Sequence, residues 1–268
     1  MMPAEYQSFI DALRTQRRVI NALVRREFIA MCGRRGIGFL MMFAEPMVII
    51  VFIMGLVLLR ANHITHTFPV FSFVVSGWGV MWLCRFPIQR VGPAISANAS
   101  FLVHRQITVL DIMLARSIIV VFSVLTCIAL IFLVYLVFLL DTRIYSPEHI
   151  LLGFLFCIWY TFFSCILTAT ICSYTFLGIK FILPFAGSHV FATGAFFMVD
   201  WLPSTYQSLA LYLPMVNVTE MIRYGMFGDV VACHYDMPYV TFFCIAYAYF
   251  VLKFLYYKVR TGYIHAVS

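Results

Sequence analysis

The chemistry available to this chain is limited, because the motifs of common catalytic sites are missing from its sequence. It has no GxxxxGK[ST] phosphate-binding loop, and Lys180, the first lysine, lies between Ile179 and Phe181. It also has no HExxH or GxSxG motif and no pair of carboxylates at acid/base spacing within an apolar stretch. We therefore expect no ATP hydrolysis or other enzymatic activity from this chain, and we assign it no catalytic residue and no cofactor.

The eight cysteines predict neither a disulfide framework nor a zinc site, because no two of them form a CxxC pair. Cys233, His234 and Asp236 do cluster in a predicted outer loop. Adjacent ligands without a second half-site are a weak metal motif, however. We predict no metal site and interpret most cysteines as small packing residues.

Charged residues near apolar segments are costly in a membrane and usually have a reason. Glu45 precedes Pro46 just inside the first apolar stretch, where a kinked helix could shape the inner mouth of a pathway. The alternative is an interfacial carboxylate satisfied by a nearby arginine. Asp111 lies close to a predicted interface, where we expect it to pair with Arg116 or Arg85.

Six long apolar stretches must position these residues. At about 1.5 Å per residue, each is long enough to cross a hydrocarbon core of about 30 Å as a helix. The composition agrees, with 63% hydrophobic and 11% charged residues and a mean hydropathy of +0.97. We predict an all-α integral membrane protein with six transmembrane helices. The stretches are 37–59, 68–90, 115–140, 148–175, 181–199 and 238–257.

The distribution of cations predicts the orientation. All of the 18 lysines and arginines except Arg60, Arg143 and Arg223 lie on the side of the two chain ends in this six-span plan. Cations near span ends mark the cytoplasmic side, so both termini are predicted to be cytoplasmic. The net charge of +7 is then explained by this bias and by contact with anionic membrane lipid, and we expect no nucleic-acid partner.

The segment 1–36 is predicted to be a cytoplasmic N-terminus with an amphipathic interfacial helix, followed by a six-span membrane domain over 37–268. Leu23, Val24 and Phe28 fall near one stripe of the helix, whereas Arg25 and Arg26 lie on the remainder. We expect this segment to be retained, since no small-residue cleavage pattern follows the apolar run. It either docks a cytoplasmic partner or serves as a topogenic anchor.

The outer segment 200–236 is too long and apolar for an ordinary loop. We predict a re-entrant hairpin with a helix near 204–213, a break at Pro214 and a second helix near 218–227. Asn217 or Thr219 could cap the second helix. Such breaks at membrane depth are tolerated where protein or a water-filled cavity covers them, which points to a pore mouth.

Three segments resemble the type-two ABC exporter permeases. FFMVDWLPSTYQSLALYLPMVNVTEMIRYGMFG, 196–228, is similar to the family's outer hairpin, with Leu213 in place of the usual Asn. RRGIGFLMMFAEPM, 34–47, resembles the entry into the first span, with Phe39 or Leu40 where Trp is usual. Residues 97–116 resemble the coupling loop leading into the third span. The six-span plan is most similar to the inner-membrane permeases of capsular polysaccharide export.

The resemblance implies a homodimer in the bacterial inner membrane that works with two copies of a cytoplasmic ABC ATPase, to which ATP binds. Periplasmic and outer-membrane polysaccharide export proteins are further candidate partners. The coupling loop spans about 93–108. The residues expected to contact the ATPase are Ser96, Asn98, His104, Arg105, Gln106, Arg25 and Arg26.

Aromatic side chains suit a glycan pathway, because they stack on sugar faces without trapping the polymer through strong hydrogen bonds. The alternative is that Trp and Tyr near span ends anchor the protein at the membrane interface. The candidate pathway residues are Phe43, Glu45, Pro46, Trp78, Trp82, Phe196, Phe197, Trp201 and Tyr212. The candidate hairpin residues are Pro203, Pro214, Glu220 and Arg223, where Glu220 and Arg223 are spaced for an i,i+3 pair.

Other transported substrates remain open at this point, namely O-antigen, teichoic acid or a drug, since their exporters share the same plan. A secondary transporter driven by an ion gradient is the alternative from another class. It would be expected to show two related halves with interrupted helices in matching positions, and this sequence has no such internal symmetry.

Overall fold

The computed structural model of the protein describes residues 4–32, 44, 47–53, 55–56, 59, 70–98, 107–138, 144–228 and 232–261. Within these residues the regular structure is entirely helical. The predicted all-α class is therefore confirmed. The helices are α1 Ala4–Cys32, α2 Val70–Val91, α3 Ala94–Ala97, α4 Val109–Phe138, α5 Pro147–Tyr174, α6 Phe176–Ala192, the 3-10 helix Val199–Trp201, α7 Ser204–Leu211, α8 Pro214–Phe227 and α9 Met237–Arg260.

Three helices in the described part of the chain are long and apolar enough to cross a membrane. They cover Val109–Leu133, Pro147–Ser173 and Met237–Arg260. A shorter apolar helix covers Leu177–Ala192. These segments correspond to the predicted third to sixth stretches, whereas most of the predicted first stretch lies outside the described residues.

The boundaries of the fifth stretch, predicted as 181–199, are wrong in the structure. Helix α6 begins at Phe176, directly after the extended Thr175, and ends at Ala192. Gly194 follows with φ of 65°, a left-handed conformation that glycine adopts without the steric cost of a Cβ. The apolar residues after Gly194 therefore belong to a turn and not to the helix.

Local signals define where several helices begin. Thr108 and Asp111 form reciprocal bonds at the start of α4: Asp111 Oδ2 accepts from Thr108 N at 2.9 Å, and Asp111 N donates to Thr108 Oγ1 at 3.2 Å. Pro147 opens α5, where a missing N–H costs no helical bond. Asp236 caps α9 by accepting from Tyr239 N at 3.0 Å.

Helix α2 lies at the centre of the packed helices. Its residues 72–84 are all buried, and they share an apolar cluster with residues of α4, α5 and α8. A second apolar cluster joins the other end of α2 to α1, α4, α5 and α9 and includes Leu23, Ile88 and Met113. The amphipathic stripe predicted for α1 thus buries Leu23 against protein, while Phe28 stays 45% exposed.

Polar side chains also connect α5 to its neighbours inside the bundle. His189 of α6 contacts the carbonyl of Phe185 through Nδ1 at 2.8 Å, so Nδ1 carries the proton and Nε2 accepts from Tyr160 Oη at 2.9 Å. Ser164 and Tyr247 of α9 form a further bond at 3.0 Å. Pairing of this kind satisfies polar groups that would be costly in an apolar interior.

Candidate translocation site

Two short helices, α7 and α8, follow the end of α6 and lie within residues 200–236, the segment predicted to form a re-entrant hairpin. Helix α8 begins at Pro214 rather than near 218, because proline at the first helical position lacks only an N–H that would have no helical partner. Its N-cap residue is Leu213, which has no side-chain capping bond. The prediction that Asn217 or Thr219 caps this helix is therefore wrong.

Asn217 and Thr219 instead join α8 to other segments. Asn217 Nδ2 donates to the carbonyl of Leu211 at 2.7 Å, and its Oδ1 accepts from Asp236 N at 2.9 Å. Thr219 Oγ1 donates to the carbonyl of Thr193 at 2.6 Å. These bonds hold α8 between the end of α6 and the start of α9.

Arg223 is the most extensively bonded buried side chain of this region. The predicted pair with Glu220 is confirmed, with Arg223 Nη1 at 3.0 Å from Glu220 Oε1 and both side chains 0% exposed. Arg223 Nη1 also donates to the carbonyl of Phe197 at 2.7 Å, and Nη2 donates to that of Gly194 at 3.0 Å. The guanidinium lies 4.5 Å from the ring centre of Phe73. Arg223 thus fastens the turn after α6 to α8.

This arrangement requires a close approach between α2 and the turn. A Cβ placed on Gly77 would lie 2.6 Å from the carbonyl oxygen of Ala195 and 2.9 Å from Arg223 Nη2. Only glycine leaves room for both atoms at this distance. Sequence reasoning missed Gly77, because no local signal distinguishes it from the other helical glycines.

The candidate pathway aromatics divide into two groups in the structure. Trp78 and Trp82 are buried in the core, 7% and 5% exposed. Trp201 and Tyr212 are 52% and 71% exposed. Phe196, 50% exposed, contacts the ring of Trp78 edge-on at 5.4 Å and so links the groups. Phe197 is half-buried.

The exposed aromatics lie within residues 200–236 or close to them in sequence. Trp201 packs on Phe73 with ring centres 5.1 Å apart, and Phe73 in turn lies against Arg223. Of the hairpin candidates, Pro203 directly precedes α7, and Pro214 is the first residue of α8. Phe43, Glu45 and Pro46 lie outside the described residues.

Two of the predicted coupling residues contact each other in the described part of the chain. Arg26 Nη1 of α1 donates to Asn98 Oδ1 at 2.8 Å, and Asn98 Nδ2 donates to Glu27 Oε1 at 2.9 Å. The structure thus joins Arg26 and Asn98, two of the residues predicted to contact an ATPase. Glu27, 8% exposed, was missed, because a glutamate in a basic helix has no sequence signal for burial.

The remaining coupling candidates are placed only in part. Arg25 is exposed on α1, and Ser96 lies within α3. His104, Arg105 and Gln106 lie outside the described residues.

Asp111 has partners other than the arginines expected from the sequence. Its Oδ1 accepts from Gln16 Nε2 at 2.9 Å, and its Oδ2 accepts from Thr108 Oγ1 at 2.7 Å. The prediction of an ion pair with Arg116 or Arg85 is therefore wrong. A capping role at the first turn of α4 explains the carboxylate, since acidic groups are stabilised at helix N-termini.

The cluster of Cys233, His234 and Asp236 has structural contacts. Burial raises the pKa of the Cys233 thiol to about 12. His234 Nε2 lies 4.0 Å from Asp200 Oδ1, and Asp236 caps α9. In the part of the chain that the structure describes, no group of three His, Cys, Asp or Glu residues could hold a metal ion.

Three apolar helices of membrane-crossing length indicate an α-helical membrane protein. No protein-family model matches the chain. It is 35% identical over 246 residues to the capsule polysaccharide export inner-membrane protein CtrC of Neisseria meningitidis serogroup B, which covers 88% of this chain and 89% of that protein. It is 34% identical over 248 residues to the capsule polysaccharide export inner-membrane protein BexB of Haemophilus influenzae, covering 90% and 91%.

A second meningococcal CtrC, from serogroup A, is 31% identical over 247 residues and covers 88% of this chain. The chain belongs to the family of capsule polysaccharide export inner-membrane proteins. The family resemblance found in the sequence is thereby confirmed.

Proposed function

We propose that this chain is the transmembrane permease subunit of an ATP-driven exporter that moves capsular polysaccharide across the bacterial inner membrane. The observation that carries this proposal is the identity of 31–35% to proteins named for capsule polysaccharide export, which extends over about nine-tenths of the chain. An identity that covers nearly the full length supports a shared role for the whole chain rather than for one segment.

The proposed topology has six spans with both termini in the cytoplasm. The apolar helices α4, α5, α6 and α9, and the concentration of cations on one side of the six-span plan, support it. Residues 37–268 form the permease domain in this proposal. Residues 200–236 form a re-entrant hairpin on the periplasmic side, supported by the two short helices α7 and α8.

The proposed assembly contains two copies of this chain and two copies of a separate ATPase. The absence of a phosphate-binding loop from the sequence supports this division of labour. The ATPase acts on the segment 93–108 and on α1, where Arg26 and Asn98 are in contact. The resulting change in helix packing advances the glycan between the two copies toward the outer hairpins.

The outer part of the proposed pathway uses the exposed rings of Phe196, Trp201 and Tyr212. These rings offer stacking surfaces on which a sugar chain can slide, since aromatic stacking depends weakly on the orientation of individual hydroxyl groups. Arg223, paired with Glu220, donates to the carbonyls of Phe197 and Gly194 and so fixes the turn that carries Phe196.

The test is to delete the gene for this chain in its native bacterium and measure polysaccharide inside the cell and at its surface. We expect the polymer to accumulate inside and to return to the surface when the gene is restored. The complex purified from native membranes should contain an ATPase in a two-to-two ratio by native mass spectrometry. Surface polymer that persists without the chain contradicts the proposal.

A second arm separates ATP from ion gradients as the source of energy. Inside-out membrane vesicles supplied with ATP should take up polymer in the presence of a protonophore. Uptake that requires the proton gradient but not ATP hydrolysis would support a secondary transporter instead.

A further inference from the structure

We propose that α1 is a brace that holds Asn98, at the end of α3, and Asp111, in the first turn of α4, at a set distance from each other. The inference rests on the proposed function, because it assigns a mechanical role to the ATPase-facing part of an exporter. Two groups of hydrogen bonds carry it, one at Asn98 and one at Asp111. Along the chain, these residues stand on either side of the segment 99–106.

The first anchor uses every hydrogen-bonding group of the Asn98 amide. Its oxygen accepts from Arg26 Nη1 at 2.8 Å, and its nitrogen donates to Glu27 Oε1 at 2.9 Å and to the carbonyl of Ala94 at 3.0 Å. An amide can accept from a cation and donate to an anion at once, which neither a carboxylate nor an ammonium can do. Arg26 and Glu27, consecutive residues of α1, therefore supply the donor and the acceptor that the Asn98 amide needs.

Burial makes this anchor specific. Asn98 is 3% exposed and Glu27 is 8% exposed, so water cannot readily replace a lost partner. A buried polar group left without its partner is costly, and more so when it is charged. The hydrogen bonds between α1 and the end of α3 are therefore expected to form or break as a unit.

The second anchor ties α1 to the first turn of α4. Gln16 Nε2 donates to Asp111 Oδ1 at 2.9 Å, and Asp111 is 1% exposed. Gln16 and Arg26 are ten residues apart in one continuous helix, a length of about 15 Å. Leu23, between the two anchors, belongs to the same buried apolar cluster as Met113 of α4.

These contacts make Arg26, Glu27 and Gln16 positioning residues. A load applied at Asn98 reaches Asp111 through the rigid helix α1. Helices α2 and α4 would then move together when the ATPase closes, because α3 directly follows α2 and α4 carries the second anchor. Loss of an anchor leaves the rate of ATP hydrolysis unchanged but lowers the amount of polymer exported per ATP.

The experiment compares Asn98→Asp, Glu27→Gln and the double variant in the native bacterium with its own ATPase subunit. Asn98→Asp keeps the acceptor for Arg26 but places two carboxylates together. Glu27→Gln keeps an acceptor for Asn98 and is the matched control. In the double variant, the amide introduced at position 27 can donate to the carboxylate introduced at position 98. The readouts are surface polymer per ATP hydrolysed, the amount of assembled complex and its melting temperature in detergent.

We expect Asn98→Asp to lower the polymer exported per ATP about tenfold. The buried Glu27 carboxylate loses its hydrogen-bond donor and faces a second carboxylate instead. Glu27→Gln should stay close to wild type, and the double variant should recover part of the export, since the carbonyl of Ala94 still lacks its donor there. Wild-type coupling in Asn98→Asp overturns the brace, as does a double variant no better than Asn98→Asp. If the wild-type complex itself exports no polymer, the proposed function fails, and the melting temperatures of the four proteins still decide whether the contact between positions 27 and 98 braces α1.

Discussion

At position 77, a side chain of any size would collide with the turn that follows α6. Gly77→Ala places a methyl group within 3 Å of the Ala195 carbonyl and the Arg223 guanidinium. We expect a loss of about 1–3 kcal/mol in the free energy of unfolding, which outweighs the better helix propensity of alanine. Thermal melting in detergent measures the effect.

Gly79→Ala is the matched control in the same helix. A Cβ at Gly79 would lie 3.6 Å from Ile128 Cδ1, an ordinary van der Waals distance. It should leave the melting temperature unchanged or raise it. Equal melting of the two variants would mean that the close approach at Gly77 is not a structural requirement.

Glu220 neutralises a guanidinium that has no access to water in this chain. Glu220→Ala leaves Arg223 buried without its carboxylate, and we expect a cost of about 3–5 kcal/mol. Glu220→Gln keeps an oxygen for Arg223 Nη1 and for Val199 N, the two groups that Oε1 accepts from. It should therefore cost clearly less. Chemical unfolding in detergent compares the two variants, and equal losses would assign the stabilisation to charge alone.

Helix α8 begins without a side-chain cap, because Leu213 occupies its N-cap position. Leu213 has an extended backbone, with φ of −84° and ψ of 112°, and its side chain is 40% exposed. Leu213→Asn should stabilise the protein by about 0.5–1 kcal/mol, since Asn can accept from an open N–H of the first turn.

Leu213→Ala removes the same apolar atoms without supplying a cap. The difference in melting temperature between the Asn and Ala variants isolates the capping bond. If both variants melt alike, the first turn of α8 already has its N–H groups satisfied from elsewhere.

On the scale of the whole molecule, Tyr212 offers a direct test of the proposed glycan pathway. Its side chain is 71% exposed, so Tyr212→Ala should leave folding and assembly unchanged. We expect export to fall several-fold, up to about tenfold, because one aromatic stacking surface is worth about 0.5–1.5 kcal/mol. Quantified surface polymer at equal amounts of complex provides the measurement.

Tyr212→Phe keeps the ring and removes only the hydroxyl. It should export polymer at the wild-type rate if stacking is the role of this position. An unchanged rate in Tyr212→Ala would remove Tyr212 from the pathway and favour a membrane-interface role.

The sequence by itself determined the helical membrane class and the family. Both follow from composition, from the length of apolar stretches and from motifs that are contiguous along the chain, all of which are local properties. The i,i+3 pair of Glu220 and Arg223 was predictable for the same reason, because helix geometry sets which residues of one helix meet.

Only the tertiary structure decided the partners that lie far apart in sequence. Asn98 and Arg26 are 72 residues apart in sequence, and Asp111 and Gln16 are 95 residues apart, so no local pattern predicts their contacts. The same holds for Gly77 against Ala195, and for the separation of buried Trp78 from exposed Trp201. Aromatic and polar residues satisfy the same sequence pattern in either environment, and packing between helices alone determines which of them face protein.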